Sequence, residues 1–154
     1  MPIYTQITRL LQGLDIKIIE HPPTHTSEES AKARGESMSI GGKALVLKTG
    51  DVFGIFVLSA DRTMDSKKLK DYFKIRRIRF ATKEELYALT GLPSGAVPPF
   101  GRPVFDLELY ADNSILEKEF IAFNAGSLTN SIKMKIEDYI RIAKPIIFSF
   151  SSNV

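Results

Sequence analysis

Lys43 follows two glycines in SIGGKALVLKTG (residues 39–50), where an apolar residue would better serve the start of a strand. In strict alternation its side chain shares a face with Leu45 and Leu47, while Ala44, Val46 and Lys48 take the other. A phosphate loop would need Gly, four residues, Gly, Lys and then Ser or Thr. Ser37 stands at the first glycine position and Ala44 follows the lysine, so that motif fails at both ends. Two readings fit what is left. Lys43 is a point charge at a pocket rim, with Gly41 and Gly42 admitting a ligand close to the backbone, or it is a lysine snorkelling from a strand end.

The loop SGAVPPFG (residues 94–101) is the second candidate. Pro98 and Pro99 restrict the chain, and Gly95 and Gly101 open geometries closed to other residues. Such a loop can aim backbone N–H groups at a developing oxyanion without a catalytic side chain, or serve simply as a turn. NAGSLTN (residues 124–130) raises the same choice, with Asn124, Gly126 and Ser127 as candidate donors. His21 and His25 are four apart, but Pro22 and Pro23 deny them helical spacing. With no cysteine and no evident third ligand, neither a metal nor a cofactor is expected. The two imidazoles line a cleft, cap the following helix, or are satisfied locally. Asp106 and Glu108 share a strand face and read as wet surface rather than acid/base machinery. No serine stands in a G-x-S-x-G elbow, so nucleophilic hydrolysis has no support in the sequence.

Short elements must position these residues. Residues 4–12 have helical spacing that Gly13 can end, and LDIKII alternates as a strand that HPP stops. Thr26 with Glu29, and Thr82 with Glu85, have capping-box spacing ahead of SEESAKAR and ELYALT, which end near Gly35 and Gly91. GKALVLK and VFGIFVLS read as hairpin neighbours across TGD. SKKLKDYF and IEDYIRIA read as helices. IRRIRF, PVFDLELY, EFIAFNAG, SIKMK and PIIFSF read as strands. The pattern predicts an α+β fold with a mixed, largely antiparallel, barrel-like sheet and short flanking helices.

The 154 residues suit one domain spanning 1–154, and a hydrophobic fraction of 44% is ordinary for a globular protein. No apolar run approaches membrane-spanning length, and MPIYTQITRLLQG lacks the apolar stretch of a signal peptide, so a cytoplasmic location without membrane attachment is expected. The formal charge of +3 is unevenly spread. Lys67, Lys68, Lys70, Lys74, Arg76, Arg77 and Arg79 fall within thirteen residues that hold one acid, Asp71. That run is a candidate footprint for a phosphate backbone, or a solvated helix and strand edge.

Taken in order, EHPPTHTSEESA, GGKALVLK, KKLKDYFKIRRIRFATKEELYALTG, SGAVPPFG and FNAG resemble the YbaK-like family of aminoacyl-tRNA deacylase (editing) domains, also called the prolyl-tRNA synthetase associated domain. The likeness covers residues 15–143. It implies a mixed α/β barrel-like fold and a hydrolase that cleaves the ester of mischarged aminoacyl-tRNA. It puts the family's catalytic lysine on Lys43, makes the backbone of Gly95 and Ala96 catalytic with it, and puts the rest of the substrate-positioning loop on Val97, Pro98, Phe100 and Gly101. By the same likeness His21, Thr24, His25, Gly42, Asn124, Gly126 and Ser127 border the substrate, and the tRNA terminal ribose hydroxyl helps activate the water. The implied partners are the acceptor end of a mischarged tRNA and, as a separate protein, an aminoacyl-tRNA synthetase. The chain departs from the family at Ala44, where many members have threonine, and at Gly95-Ala96, where several have two glycines. A non-catalytic tRNA- or synthetase-binding module on the same fold is the alternative, and neither the amino acid accepted nor the oligomeric state follows from the sequence.

Overall fold

Alternating apolar residues and capped helical segments become, in chain order, α1 (Ile3–Leu10), β1 (Ile16–Glu20), α2 (Ser27–Arg34), β2 (Gly42–Thr49), β3 (Val52–Ser59), β4 (Arg62–Met64), α3 (Ser66–Phe73), β5 (Ile78–Phe80) and α4 (Lys83–Thr90). After the glycine-rich loop come β6 (Glu108–Asp112), β7 (Phe120–Asn124), β8 (Asn130–Lys135), α5 (Ile136–Ala143), β9 (Ile146–Phe148) and β10 (Ser151–Asn153). The computed structural model describes residues 1–153. Local signals decide several boundaries. Thr26 accepts from the Glu29 N–H, and Gly35 closes α2 in the left-handed region. Thr82 and Glu85 form a complete capping box for α4, which Gly91 ends.

One sheet has the order β5-β2-β3-β6-β9, in which β2 runs antiparallel to β3 and β5 while β3–β6 and β6–β9 are parallel. A second, β1-β8-β7, is antiparallel throughout, and β10 pairs with β4 as a third. The fold is therefore mixed α+β and mainly antiparallel, as expected. The strands form three sheets rather than the single barrel-like sheet expected. The first two sheets meet at a seam where Gly41 bridges Ala122. Apolar side chains decide this packing: Val46, Ile55, Val57 and Leu109 face Ile121, Phe123, Ile132 and Met134 across the main core, with Ile7 of α1 and Tyr139 of α5. On the reverse face Leu47, Phe56 and Leu58 bury Leu69 of α3 and Phe150.

Two elements diverge from the sequence reading. PVFDLELY is extended only from Glu108, because residues 102–107 turn to bring Arg102 onto both Asp106 (2.8 Å) and Glu108 (3.1 Å). PIIFSF is extended only over Ile146–Phe148 as β9, and after a break at Ser149–Phe150 a separate strand, β10, begins beyond it at Ser151. The buried Asp112 carboxylate causes that break by accepting the Phe150 N–H (2.6 Å), the Ser151 N–H (3.0 Å) and the Ser151 hydroxyl (2.6 Å). Burial pushes this carboxyl up, but hydrogen bonds from Ser114, Ser151 and Phe150 outweigh it and leave the group below the ordinary carboxylate range. β10 is thereby fixed on β4, whose Arg62 carbonyl receives Lys43.

Candidate functional site

A pocket of about 180 Å³ opens beside the seam, at the start of β2. β2 contributes Gly42, Lys43, Ala44 and Leu45, and the segment entering α2 contributes Thr24, His25 and Thr26. Ser30 and Arg34 come from α2, Ser94, Gly95 and Val97 from the glycine-rich loop, and Asn124 from the end of β7. Among the described residues, no carboxylate lines the pocket.

The glycines before Lys43 serve packing. A Cβ on Gly42 would stand 2.6 Å from Ile121 Cδ1, and one on Gly41 would stand 2.9 Å from Ala60 Cβ. They allow β2 to lie against β7 and so create the corner that the pocket occupies. Lys43 itself is half-buried on the face shared with Leu45 and Leu47, and its Nζ donates to the Arg62 carbonyl at 2.6 Å. Burial lowers the ammonium's pKa from the usual lysine value, and the nearby Asp61 charge partly opposes that.

The loop is tied down through its carbonyls. Asn124 Nδ2 donates to the Gly95 carbonyl (2.8 Å), the Gly126 N–H to Ala96 (3.0 Å) and the Tyr139 hydroxyl to Pro99 (2.6 Å). Gly95 takes φ +88°, a geometry that glycine accepts without strain. The Ala96 N–H, expected as a catalytic donor, is instead spent on the Pro93 carbonyl (3.2 Å) in the loop's own turn, whereas the Gly95 and Val97 N–H groups donate to nothing among the described residues. Phe100 lies in the core, edge-on to Phe123 and Tyr139. Gly101 abuts Leu107, whose carbonyl would be 2.7 Å from an added Cβ, and Pro98 is buried.

Thus Lys43, Gly42, Gly95, Val97, Thr24, His25 and Asn124 come together around one pocket. Ala96, Pro98, Phe100 and Gly101 form the body of the loop behind it. His21 is buried behind the wall, with Nδ1 2.9 Å from the Pro22 carbonyl and Nε2 2.7 Å from Ser131 Oγ. Since a carbonyl only accepts, Nδ1 carries a proton. Ser127 closes the β7–β8 turn through Thr129 (2.9 Å), and Gly126 makes room for Ile3 of α1.

Arg34 is the principal residue that the sequence reading did not single out. Its Nε donates to Ser131 Oγ (2.9 Å) and its Nη2 to Asn124 Oδ1 (3.2 Å), so α2, β7 and β8 meet at the guanidinium. A basic residue in the last turn of a helix is ordinary, and its burial depends on contacts from residues 90 or more positions away.

The basic run divides. Arg79 is held by Glu85 (2.7 and 3.0 Å), Lys68 donates to the Ser151 carbonyl (2.7 Å), and Lys67 lies 3.6 Å from Asp71 on the surface. Lys70, Arg76 and Arg77 join Lys48 along a broad open groove at the far end of β2, with exposed Lys74 capping α3 nearby. Five residues of extended chain from Lys43 to Lys48 put the groove roughly 17 Å from the pocket.

Residues 21–142 match the family model described as the aminoacyl-tRNA editing domain. A multifunctional Ser/Thr-tRNA deacylase, ProXp-y, of Escherichia coli strain K12 is 34% identical over 145 residues, covering 90% of this chain and 86% of that protein. The prolyl-tRNA editing protein ProX of Acetoanaerobium sticklandii is 26% identical over 136 residues, covering 85% of this chain and 83% of that one. A crystal structure reported as a candidate trans-editing enzyme for prolyl tRNA synthetase superposes with a TM-score of 0.83 at 23% identity, over 99% of each chain, a likeness of fold.

Proposed function

The chain belongs to the aminoacyl-tRNA editing domain family, and on that premise we propose that it hydrolyses, in trans, the ester joining an incorrect amino acid to the 3′ end of a tRNA. The observation that carries the reading is the convergence of Lys43 with Gly95 and Val97, whose N–H groups are free of partners among the described residues, on one pocket that no carboxylate of the described residues lines. The ester carbonyl has no net charge, but attack by water builds negative charge on its oxygen. A fixed ammonium and backbone donors stabilise that charge more than they stabilise the ground state.

Because the carbonyls of the loop are already tied to Asn124, Gly126 and Tyr139, its N–H groups need no rearrangement to meet the oxyanion. The water oxygen bonds to the carbonyl carbon, the ester C–O bond breaks, and the displaced ribose oxygen takes up a proton. The neighbouring ribose hydroxyl of the tRNA assists the water, so the protein need not supply a base. The basic groove follows the acceptor-stem backbone while the single-stranded 3′ end spans the distance to the pocket, and a separate synthetase charges the tRNA.

The test is release of amino acid from a panel of mischarged tRNAs, with wild type beside Lys43→Ala. Seryl and threonyl esters come first, because the Escherichia coli relative is a Ser/Thr-tRNA deacylase. Loss of one oxyanion-stabilising group costs about 2–4 kcal/mol, so the variant should be roughly 30- to 10³-fold slower. Absence of release from every ester, with tRNA binding intact, would instead make the domain a binding module.

A further inference from the structure

We infer that Arg34 is an anion-binding residue of the pocket and that its ligand is the phosphate of the tRNA's terminal adenosine nucleotide, an inference that rests on the editing reading above. The guanidinium is partly buried, yet both of its protein acceptors, Ser131 Oγ and Asn124 Oδ1, are neutral. Glu36, the acid nearest in sequence, is taken by Lys133 at 2.8 Å, and none of the ion pairs among the described residues includes Arg34. A buried cation with only neutral partners is costly unless a ligand completes it.

The direction of the unused donor is also defined. Nη1 donates to nothing among the described residues. No sealed side-chain nitrogen or oxygen there lacks a partner, so Nη1 meets solvent, and Arg34 lines the pocket. The same atom would be 3.7 Å from a Cβ on Gly41, which puts it at the seam beside Lys43. Burial lowers the guanidinium pKa to about 10, and the Glu36 charge only partly opposes that.

The chemistry of the ligand follows from the charge of the site. Lys43 donates to the Arg62 carbonyl with Asp61 near it and is assigned above to the ester oxygen, so Arg34 is the second cation of the pocket and the one left for another ligand group. Within the terminal aminoacyl-nucleotide the ester and the base are neutral and the amino group is neutral or cationic. The phosphate alone is an anion, and a planar guanidinium suits it better than it suits a carbonyl.

The test measures binding of adenosine 5′-monophosphate, adenosine and inorganic phosphate to the wild-type protein and to Arg34→Gln and Arg34→Lys, with thermal melting of each. A charge-assisted contact predicts that the wild type prefers the monophosphate over adenosine by roughly 10- to 100-fold. Arg34→Gln should lose that preference while still binding adenosine as wild type does, and Arg34→Lys should keep part of it. Equal wild-type affinities for the nucleotide and the nucleoside, or no nucleotide binding at all, overturn the inference without reference to any variant. Inorganic phosphate binding as tightly as the nucleotide overturns the ligand assignment. None of these measurements uses ester hydrolysis, so a protein that cleaves no ester yet shows the Arg34-dependent preference would fail only the reading of the previous subsection.

Discussion

Replacing Asn124 with alanine separates positioning of the loop from integrity of the fold. The side chain makes three contacts: it donates to the Gly95 carbonyl at 2.8 Å and accepts from Arg34 Nη2 at 3.2 Å and Ser131 Oγ at 3.0 Å. The first is a neutral hydrogen bond worth about 1 kcal/mol, and the second, with a charged donor, about 1.5–3 kcal/mol. The third is nearly free to lose, because the serine has one hydroxyl proton and His21 Nε2, 2.7 Å away, can accept it instead. Water entering from the pocket recovers part of the Arg34 term, so a loss of about 2–3 kcal/mol is expected, or a fall in Tm of roughly 4–12 °C. Catalysis should suffer more. With the Gly95 carbonyl released, the neighbouring N–H groups lose their fixed direction, and single-turnover ester hydrolysis should slow by about 10²-fold. Melting and single-turnover kinetics on the same preparation test both parts. A variant that melts as expected but turns over at the wild-type rate would refute the placement of the oxyanion donors on this loop. An unchanged Tm would refute the hydrogen-bond reasoning itself.

Two further outcomes are expected. The Lys43 ammonium is held below its usual value by burial, so activity should fall on the alkaline side at a pH below the ordinary lysine value of about 10.4. Because Asp61 opposes that shift, Asp61→Asn should move the fall to still lower pH, and a pH–rate profile corrected for spontaneous ester loss reads it directly. At the far end of β2, joint replacement of Arg76 and Arg77 by glutamine should weaken tRNA binding and reduce the slope of log affinity against log salt by about 2. An unchanged slope would remove the groove from the tRNA path.

Local chemistry in the sequence marks most of the elements and half of the site. α2 and α4 are each eight residues held between a threonine at one end and a left-handed glycine at the other, and both signals are legible in the sequence. The alternation in β2 correctly sets Lys43 on the face of Leu45 and Leu47. β4, by contrast, is three residues without an apolar pattern, and it exists because β10 pairs with it. The early end of the strand in PIIFSF is equally nonlocal, since Asp112 is 38 residues before the Phe150 N–H it captures. Arg34 escapes notice for the same reason: its type and position are unremarkable, and only the return of Asn124 and Ser131 makes it part of a pocket.

The seam between the two larger sheets bears on how such a protein changes over evolutionary time. With the ladders meeting at the Gly41–Ala122 bridge, the width of the corner is set by what packs behind it, Ile121 and Val57 against Gly42 among them. Small volume changes in those side chains can open or narrow the pocket while Lys43 and the loop N–H groups keep their places. On the proposed reading, selectivity and reactivity would then be encoded in different residues, and a lineage could trade one substrate for another through substitutions in the core.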